Sequence, residues 1–150
     1  MIEKYTQGYY IPNISRLTEV VIKELGISAE VDIRPLKMKT QNVIGYTEKY
    51  GNKYTNDRGY TVFIDQSILK ADELTDPVIS LVIHEIWHIK QMEDGRLKNN
   101  DAYTVAIWEG VHYTMTMPHD QRPWEIEAEE MAEAHFQKVK DHCLNLNILS

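Results

Sequence analysis

Only one cysteine, Cys143, occurs among the 150 residues, and the chain has neither a long apolar run nor a basic stripe. A lone cysteine cannot form an internal disulfide, which excludes a disulfide-stapled secreted domain and is compatible with a reducing compartment. No apolar run approaches the roughly 18 residues of a membrane-spanning helix, and the polar stretch after Met1 is unlike a signal peptide. We therefore expect a cytoplasmic protein with no membrane partner.

The charge balance is acidic, with 16 Lys and Arg against 23 Asp and Glu and a formal net charge of -7. Such a surface repels a phosphate backbone, so nucleic acid is not expected as a partner. The length and the hydrophobic fraction of 43% are those of one soluble globular domain with one sizeable core. We expect residues 1–150 to form a single domain.

The most informative stretch reads His-Glu-Ile-Trp-His, from His84 to His88. On a helix, two histidines four residues apart share a face, so both imidazoles can bind one Zn²⁺ ion. Glu85 lies about 100° further round the helix, outside the coordination sphere but within reach of a zinc-bound water. The pattern predicts His84 and His88 as metal ligands and Glu85 as the catalytic base. The alternative is a core helix that carries two histidines by coincidence.

The helix that carries this motif is expected to begin near Asp76, as N-cap before Pro77, and to stop at Gly95. Apolar side chains surround most of the helix between these ends, which is typical of a buried helix. Buried polar groups need partners, and a metal ion would satisfy both histidines. The polar exceptions on the buried helix are His84, Glu85, His88 and Gln91.

A catalytic zinc ion needs a third protein ligand. A last helix is predicted from Pro123 through about His142, and at 100° per residue Glu125 falls on its apolar face. An uncompensated carboxylate would be costly there, so we predict Glu125 as the third ligand. The alternative is an acid at a helix N-terminus, favoured by the macrodipole. The residues that define the apolar face are Ala128, Ala132, Phe136, Val139 and Cys143.

The other glutamates of this helix are ranked in the same way. Glu129 lies about 40° from Glu125, on the inward side, and can accept the spare N–H of a ligand histidine. Glu127 and Glu130 lie about 200° and 140° away, so both are expected to face solvent. Rival third ligands remain open, namely His112, His119, His135 and Asp120.

The remaining elements are predicted from apolar spacing and turn residues. Residues Ile14–Leu25 form a helix that is capped by Asn13 or Ser15 and ended by Gly26. The polar lead Met1–Pro12 is expected to be an extended arm. The predicted strands and turns are strands at Ala29–Leu36, Gln41–Thr47 and Gly59–Asp65, a hairpin loop at Glu48–Arg58, and a hairpin over residues 101–117 with its tip at Glu109 and Gly110.

These elements predict an α+β fold. A small, mainly antiparallel sheet is expected to pack on the N-terminal helix and the metal-binding helix, with a hairpin and a C-terminal ligand helix beside them. The strand just before the metal-binding helix, Gly59–Asp65, is the candidate sheet edge at which a peptide substrate would pair. The alternative is an ordinary strand without that role.

The motif from His84 to His88 and the later run Glu-Ile-Glu-Ala-Glu, from Glu125 to Glu129, resemble zincin metallopeptidases of the glutamate-ligand type. The layout of motif helix, short hairpin and glutamate helix is similar to that of small phage-encoded metallopeptidases, over roughly residues 59–136. The resemblance implies a minimal zincin-like domain with Zn²⁺ as cofactor, located in the host cytoplasm or in a virion. Glu129 stands where thermolysin-like enzymes carry aspartate.

The predicted function is a zinc-dependent metallopeptidase that hydrolyses a peptide or protein substrate with a zinc-activated water and Glu85 as general base. Gln91 and Asp94 stand where metzincins carry Gly and His, so that class is excluded. Two alternatives remain: a catalytically inactive zincin-like structural or binding protein that uses the metal for stability, and a metal-free interaction module. The candidate donors to the developing oxyanion are Tyr113, His112, His119 and Arg122.

Overall fold

The computed structural model describes residues 5–6, 9–36, 45–51, 58–99 and 104–147. Within them the fold is α+β, as predicted, with two three-stranded sheets, a short two-stranded ribbon and four α-helices. No helix in the described ranges is both long and apolar enough to cross a membrane. The elements are β1 (Tyr5–Thr6), β2 (Tyr9–Tyr10), α1 (Pro12–Leu25), β3 (Glu30–Leu36), β4 (Gly45–Gly51), β5 (Arg58–Asp65), α2 (Gln66–Ala71), α3 (Asp76–Glu93), β6 (Leu97–Asn99), β7 (Val105–Trp108), β8 (Val111–Thr114), a 3-10 turn (His119–Gln121) and α4 (Pro123–Asn145).

The larger sheet has the strand order β3-β5-β4 and is mixed rather than mainly antiparallel. β4 and β5 pair antiparallel, as a hairpin should, whereas β3 pairs with β5 in parallel along the whole of β3. A parallel pair needs a crossover connection of a dozen or more residues. The segment between Leu36 and Arg58, which contains β4, supplies that crossover and leaves β4 on the far side of β5.

The prediction that Gly59–Asp65 is a sheet edge open to a substrate peptide is wrong, because β5 is the central strand and both of its edges are paired. β4 lies against α3 and, among the described residues, pairs with one strand, β5. β4 begins at Gly45 and runs into the loop predicted at Glu48–Arg58, and its register with β5 pairs Gly51 with Arg58. The start of the predicted strand, residues 41–44, and the loop residues 52–57 lie outside the described residues.

The start of α1 differs from the prediction, and a partner distant in sequence supplies its cap. α1 begins at Pro12, and neither Asn13 nor Ser15 caps it with a side chain. Instead, the Asp72 carboxylate accepts the main-chain N–H groups of Asn13 and Ile14 at 3.0 and 2.8 Å. Gly26 ends α1 as predicted.

The metal-motif helix α3 is capped one residue before the predicted N-cap. The hydroxyl of Thr75 accepts the N–H of Val78, so Asp76 is the first helical residue instead of the cap. α3 ends at Glu93, with Gly95 just beyond it as predicted. The helix is buried along most of its length, as its apolar composition predicts, and it packs against α1, α4 and β4.

The smaller sheet, β6–β7–β8, carries the predicted hairpin. Its tip residues Glu109 and Gly110 both have positive φ, 49° and 86°, as a type I′ turn requires. β6 was not predicted; it pairs with β7 and brings Leu97 opposite Trp108. This sheet closes over a separate apolar cluster made of Leu97, Ala106, Trp108 and Trp124. The predicted N-terminal arm is present as the antiparallel pair β1–β2; residues 1–4 and 7–8 lie outside the description.

Candidate metal centre

The packing of α3 against α4 brings together the three predicted metal ligands. Glu125 Oε1 lies 2.9 Å from His84 Nε2 and 3.0 Å from His88 Nε2. His84 and His88 stand one turn apart on α3, with ring centroids 4.9 Å apart. Glu125 lies in the first turn of α4, and its side chain is 12% exposed. The inward orientation of Glu125 follows from the helical periodicity of α4, as predicted.

The outer ring nitrogen of each histidine also has a partner. His84 Nδ1 lies 3.1 Å from Glu129 Oε2, and a carboxylate accepts, so Nδ1 carries the proton. His88 Nδ1 lies 2.8 Å from Gln91 Oε1. Gln91 Nε2 donates to the Trp124 carbonyl, which fixes Oε1 as the acceptor and Nδ1 of His88 as the donor. Each Nδ1 is therefore held as a donor, and the proton on Nε2, which faces Glu125, is the one that a metal ion would displace.

Two lone pairs and a carboxylate oxygen within about 3 Å repel one another unless a cation lies among them. A proton can take that place. Burial lowers the pKa of His88, but the hydrogen bond and charge of Glu125 outweigh it and raise that pKa to about 9. Burial raises the pKa of Glu125, but hydrogen bonds from His119, His84 and His88 lower it further than burial raises it. A divalent metal ion fits the same place, because two imidazole nitrogens and one carboxylate oxygen are a usual donor set of catalytic zinc.

Two carboxylates compete for the third-ligand role. His84, Glu85 and His88 each offer a ligand atom within 4.8 Å of the others, so proximity alone admits Glu85. Glu85 Oε1, however, lies 2.9 Å from the hydroxyl of Thr47, whereas Glu125 Oε1 directly contacts both Nε2 atoms. The contacts favour Glu125 as ligand and leave Glu85 beside the site, as the sequence predicts.

Glu85 is held between α3 and the edge strand β4. Its side chain is buried, with 4% of the residue exposed, and burial raises the pKa of its carboxyl group. Thr47 Oγ1 lies 2.9 Å from both the main-chain oxygen and Oε1 of Glu85. β4 approaches closely because Gly45 has no side chain: a Cβ atom there would lie 3.1 Å from Leu81 Cδ1 and 3.4 Å from Glu85 Cγ.

The structure agrees with the prediction for Glu130, which is exposed, and overturns that for Glu127. Glu127 is only 25% exposed in its side chain and accepts from Arg96 and Trp87 at 2.9 and 2.8 Å. The prediction failed because it assumed one buried face for α4, whereas α4 contacts both α3 and Arg96 at the start of the smaller sheet. Glu129 is 80% exposed, so its contact with His84 lies at the rim of the site.

Of the rival ligands and oxyanion donors, His119 is the one that the structure brings to Glu125. Its Nε2 lies 3.3 Å from Glu125 Oε2, and this hydrogen bond raises the pKa of His119 against the effect of burial. Arg122 donates to two carbonyl oxygens of the preceding loop instead. The other candidates lie elsewhere: His112 is exposed on β8, Tyr113 packs on Trp124, His135 pairs with Glu24 and stacks on Trp87, and Asp120 is exposed.

These residues could hold a metal ion between α3 and α4, with a buried carboxylate on one side and a histidine at the rim. Gln91 is the site residue that sequence reasoning left without a role, although its polarity on a buried helix marked it as needing a partner. No protein-family model, curated protein or solved structure matches the chain.

Proposed function

We propose that the protein is a zinc-dependent metallopeptidase of the glutamate-ligand zincin type. The observation that carries the proposal is that His84 Nε2, His88 Nε2 and Glu125 Oε1 meet, while the outer nitrogen of each histidine has its own hydrogen-bond acceptor. An imidazole whose outer nitrogen donates in this way binds a metal through its other nitrogen. The helix motif and Glu125, the two features that resemble zincins, are thus joined by contacts that the motif alone does not require.

His84, His88 and Glu125 would hold the zinc ion, which would act as a Lewis acid toward the attacking water and the peptide carbonyl. Glu85 takes a proton from the attacking water as the water oxygen bonds to the peptide carbonyl carbon. The same carboxyl group passes that proton to the amine as the C–N bond breaks. Thr47 holds Glu85 in place from β4, and His119 at the rim is the proposed donor to the developing oxyanion.

The proposed substrate is an extended peptide that pairs with the edge strand β4. Among the described residues β4 is bonded to β5 alone, so its other edge offers main-chain donors and acceptors. Thr47 lies on this strand and touches Glu85, which puts a paired peptide beside the proposed base. β4 thus takes the role that the sequence had suggested for Gly59–Asp65.

The test is the variant Glu85→Gln, which keeps the side-chain shape and removes the base. Glu93→Gln, an exposed position on the same helix, is the matched control. We expect Glu85→Gln to bind one equivalent of zinc and to lose the ability to cleave an unfolded protein substrate. Cleavage is measured by mass spectrometry of the peptides released. The control should cleave like the wild type. Unchanged turnover in Glu85→Gln would sink the assignment of the base.

A second candidate is a zincin-like protein in which zinc joins α3 to α4 without turnover. The observation that favours it is the contact of Thr47 with Glu85 Oε1, which occupies one oxygen of the proposed base. In this case zinc would raise the melting temperature of the wild type and of Glu85→Gln equally. Neither protein would cleave any unfolded substrate.

A further inference from the structure

Behind His88, a chain of polar groups leads from the proposed metal site to the smaller sheet. Its first member, Gln91, is fully buried, and each end of its amide has a partner. Oε1 lies 2.8 Å from His88 Nδ1, while Nε2 donates to the Trp124 carbonyl at 2.9 Å and to Glu127 Oε1 at 3.2 Å. A buried amide with partners at both ends has one orientation.

Glu127 is held in turn by Arg96. The guanidinium donates to both oxygens of Glu127, at 2.9 and 2.5 Å, in the bidentate geometry that gives the strongest ion pairs. Arg96 also donates to Glu109 at the hairpin tip and lies over the Trp108 ring, 4.6 Å from its centroid. The position of Glu127 is therefore set by β7 and the turn that follows it as well as by α4.

The orientation of Gln91 decides which nitrogen of His88 carries the proton. With Oε1 facing His88, Nδ1 is the donor, so the neutral ring has its lone pair on Nε2, where a metal binds. A flipped amide would set an N–H donor against Nδ1, and the neutral ring would then carry its proton on Nε2, where it blocks metal binding. Two acceptors, the Trp124 carbonyl and Glu127 Oε1, act against that flip.

We propose that Gln91, oriented by Glu127 and Arg96, is the positioning residue that keeps His88 ready to bind the metal, and that the smaller sheet is thereby part of the metal centre. This inference rests on the proposed function, because it presumes that His88 is a metal ligand. Partners of this kind, one shell beyond the ligands, typically change metal affinity by about 10- to 100-fold when they are removed.

The first experiment compares zinc dissociation constants, measured by competition with a chromophoric chelator, for the wild type, Gln91→Leu and Gln91→Glu. Gln91→Leu removes the acceptor and should weaken zinc binding about 10- to 100-fold. Gln91→Glu keeps an acceptor oxygen toward His88 but sets its other oxygen against the Trp124 carbonyl and Glu127, so it should lose stability yet bind zinc within about threefold of the wild type. The control Gln137→Leu changes an exposed glutamine of α4 and should have no effect.

A structural role alone would give a different pattern. Both Gln91 variants lose the Trp124 hydrogen bond, so both should lower the free energy of unfolding when measured in excess chelator. Equal loss of zinc affinity in both would assign the effect to packing and overturn the proposal. Wild-type affinity in Gln91→Leu would overturn it as well, while leaving the metallopeptidase proposal intact. Failure of the wild type to bind zinc would instead remove the proposed function itself.

The second experiment tests the far end of this series of polar groups, at Arg96, and disturbs the core less than the Gln91 variants do. Arg96→Gln releases Glu127 from its ion pair at a partly exposed position, and Arg34→Gln, which breaks an exposed pair with Asp32 on β3, is its control. We expect Arg96→Gln to weaken zinc binding by about threefold to tenfold, and the control to leave it unchanged. Equal affinities in the two variants would show that the smaller sheet does not position His88.

Discussion

Glu125 Oε1 lies 3.0 Å from His88 Nε2, although the two residues are 37 positions apart and belong to different helices. His84 reaches the same oxygen from one turn earlier in α3. The site is therefore a property of the α3–α4 interface, and neither helix can form it alone. Changes that alter this interface should alter metal binding even when they touch no ligand.

The first prediction concerns His119, the histidine at the rim. His119→Ala should lower kcat for peptide hydrolysis by about 100-fold, the usual cost of one oxyanion donor, while zinc affinity changes less than tenfold. The reason is that His119 faces Glu125 Oε2 and not the oxygen shared by His84 and His88. His112→Ala, an exposed histidine on β8, is the control and should have wild-type kinetics. A loss of zinc from His119→Ala would make His119 a ligand instead.

The second prediction concerns Thr47, which holds the proposed base. Thr47→Val keeps the shape and removes the hydroxyl that contacts Glu85, so kcat should fall about tenfold because the carboxylate is less well oriented. Thr47→Ser keeps the hydroxyl and should retain most of the activity. The two variants should bind zinc alike. Wild-type activity in Thr47→Val would show that the hydroxyl does not orient Glu85.

The third prediction concerns the close approach of β4 to α3. In Gly45→Ala the new methyl group would lie 3.1 Å from Leu81 Cδ1 and 3.2 Å from the main-chain oxygen of Phe63. The overcrowding should lower the free energy of unfolding by about 1–3 kcal/mol, measured by urea denaturation. The same shift of β4 should reduce hydrolysis through Thr47. A variant as stable as the wild type would mean that β4 packs less tightly than its contacts indicate.

The fourth prediction concerns Asp72, the distant cap of α1. Asp72→Ala removes the acceptor for the N–H groups of Asn13 and Ile14 and should cost about 0.5–2 kcal/mol in the free energy of unfolding. Asp72→Asn keeps an acceptor oxygen and tolerates the left-handed φ of 48° at this position, so it should be closer to the wild type. Equal stability of Asp72→Ala and the wild type would refute the capping role.

The parts of the site that were predictable from sequence are those that follow from the geometry of one helix. The spacing of His84 and His88 and the inward position of Glu125 depend only on 100° per residue and on where the apolar residues lie. Glu129 was ranked by the same rule and does contact His84, although it lies at the exposed rim.

The parts that failed depend on contacts between segments distant in sequence. Glu127 was predicted to face solvent because nothing in the sequence of α4 indicates its two partners. Trp87 reaches Glu127 from α3, and Arg96 reaches it from the segment just after α3. Strand order failed for the same reason: the residue pattern of β5 indicates a strand but does not show whether neighbours lie on one edge or both. The N-cap of α3 is Thr75, next to the predicted Asp76, and helix boundaries commonly differ by one or two residues.

The central claim is that His84, His88 and Glu125 hold a metal ion, and elemental analysis of the purified protein tests it most directly. Wild type, Glu125→Ala and Glu130→Ala should be compared, since Glu130 is an exposed glutamate on the same helix. We predict one equivalent of zinc in the wild type and in Glu130→Ala, and its loss from Glu125→Ala. Full retention of zinc in Glu125→Ala would contradict the third ligand, and no metal in any of the three proteins would contradict the account as a whole.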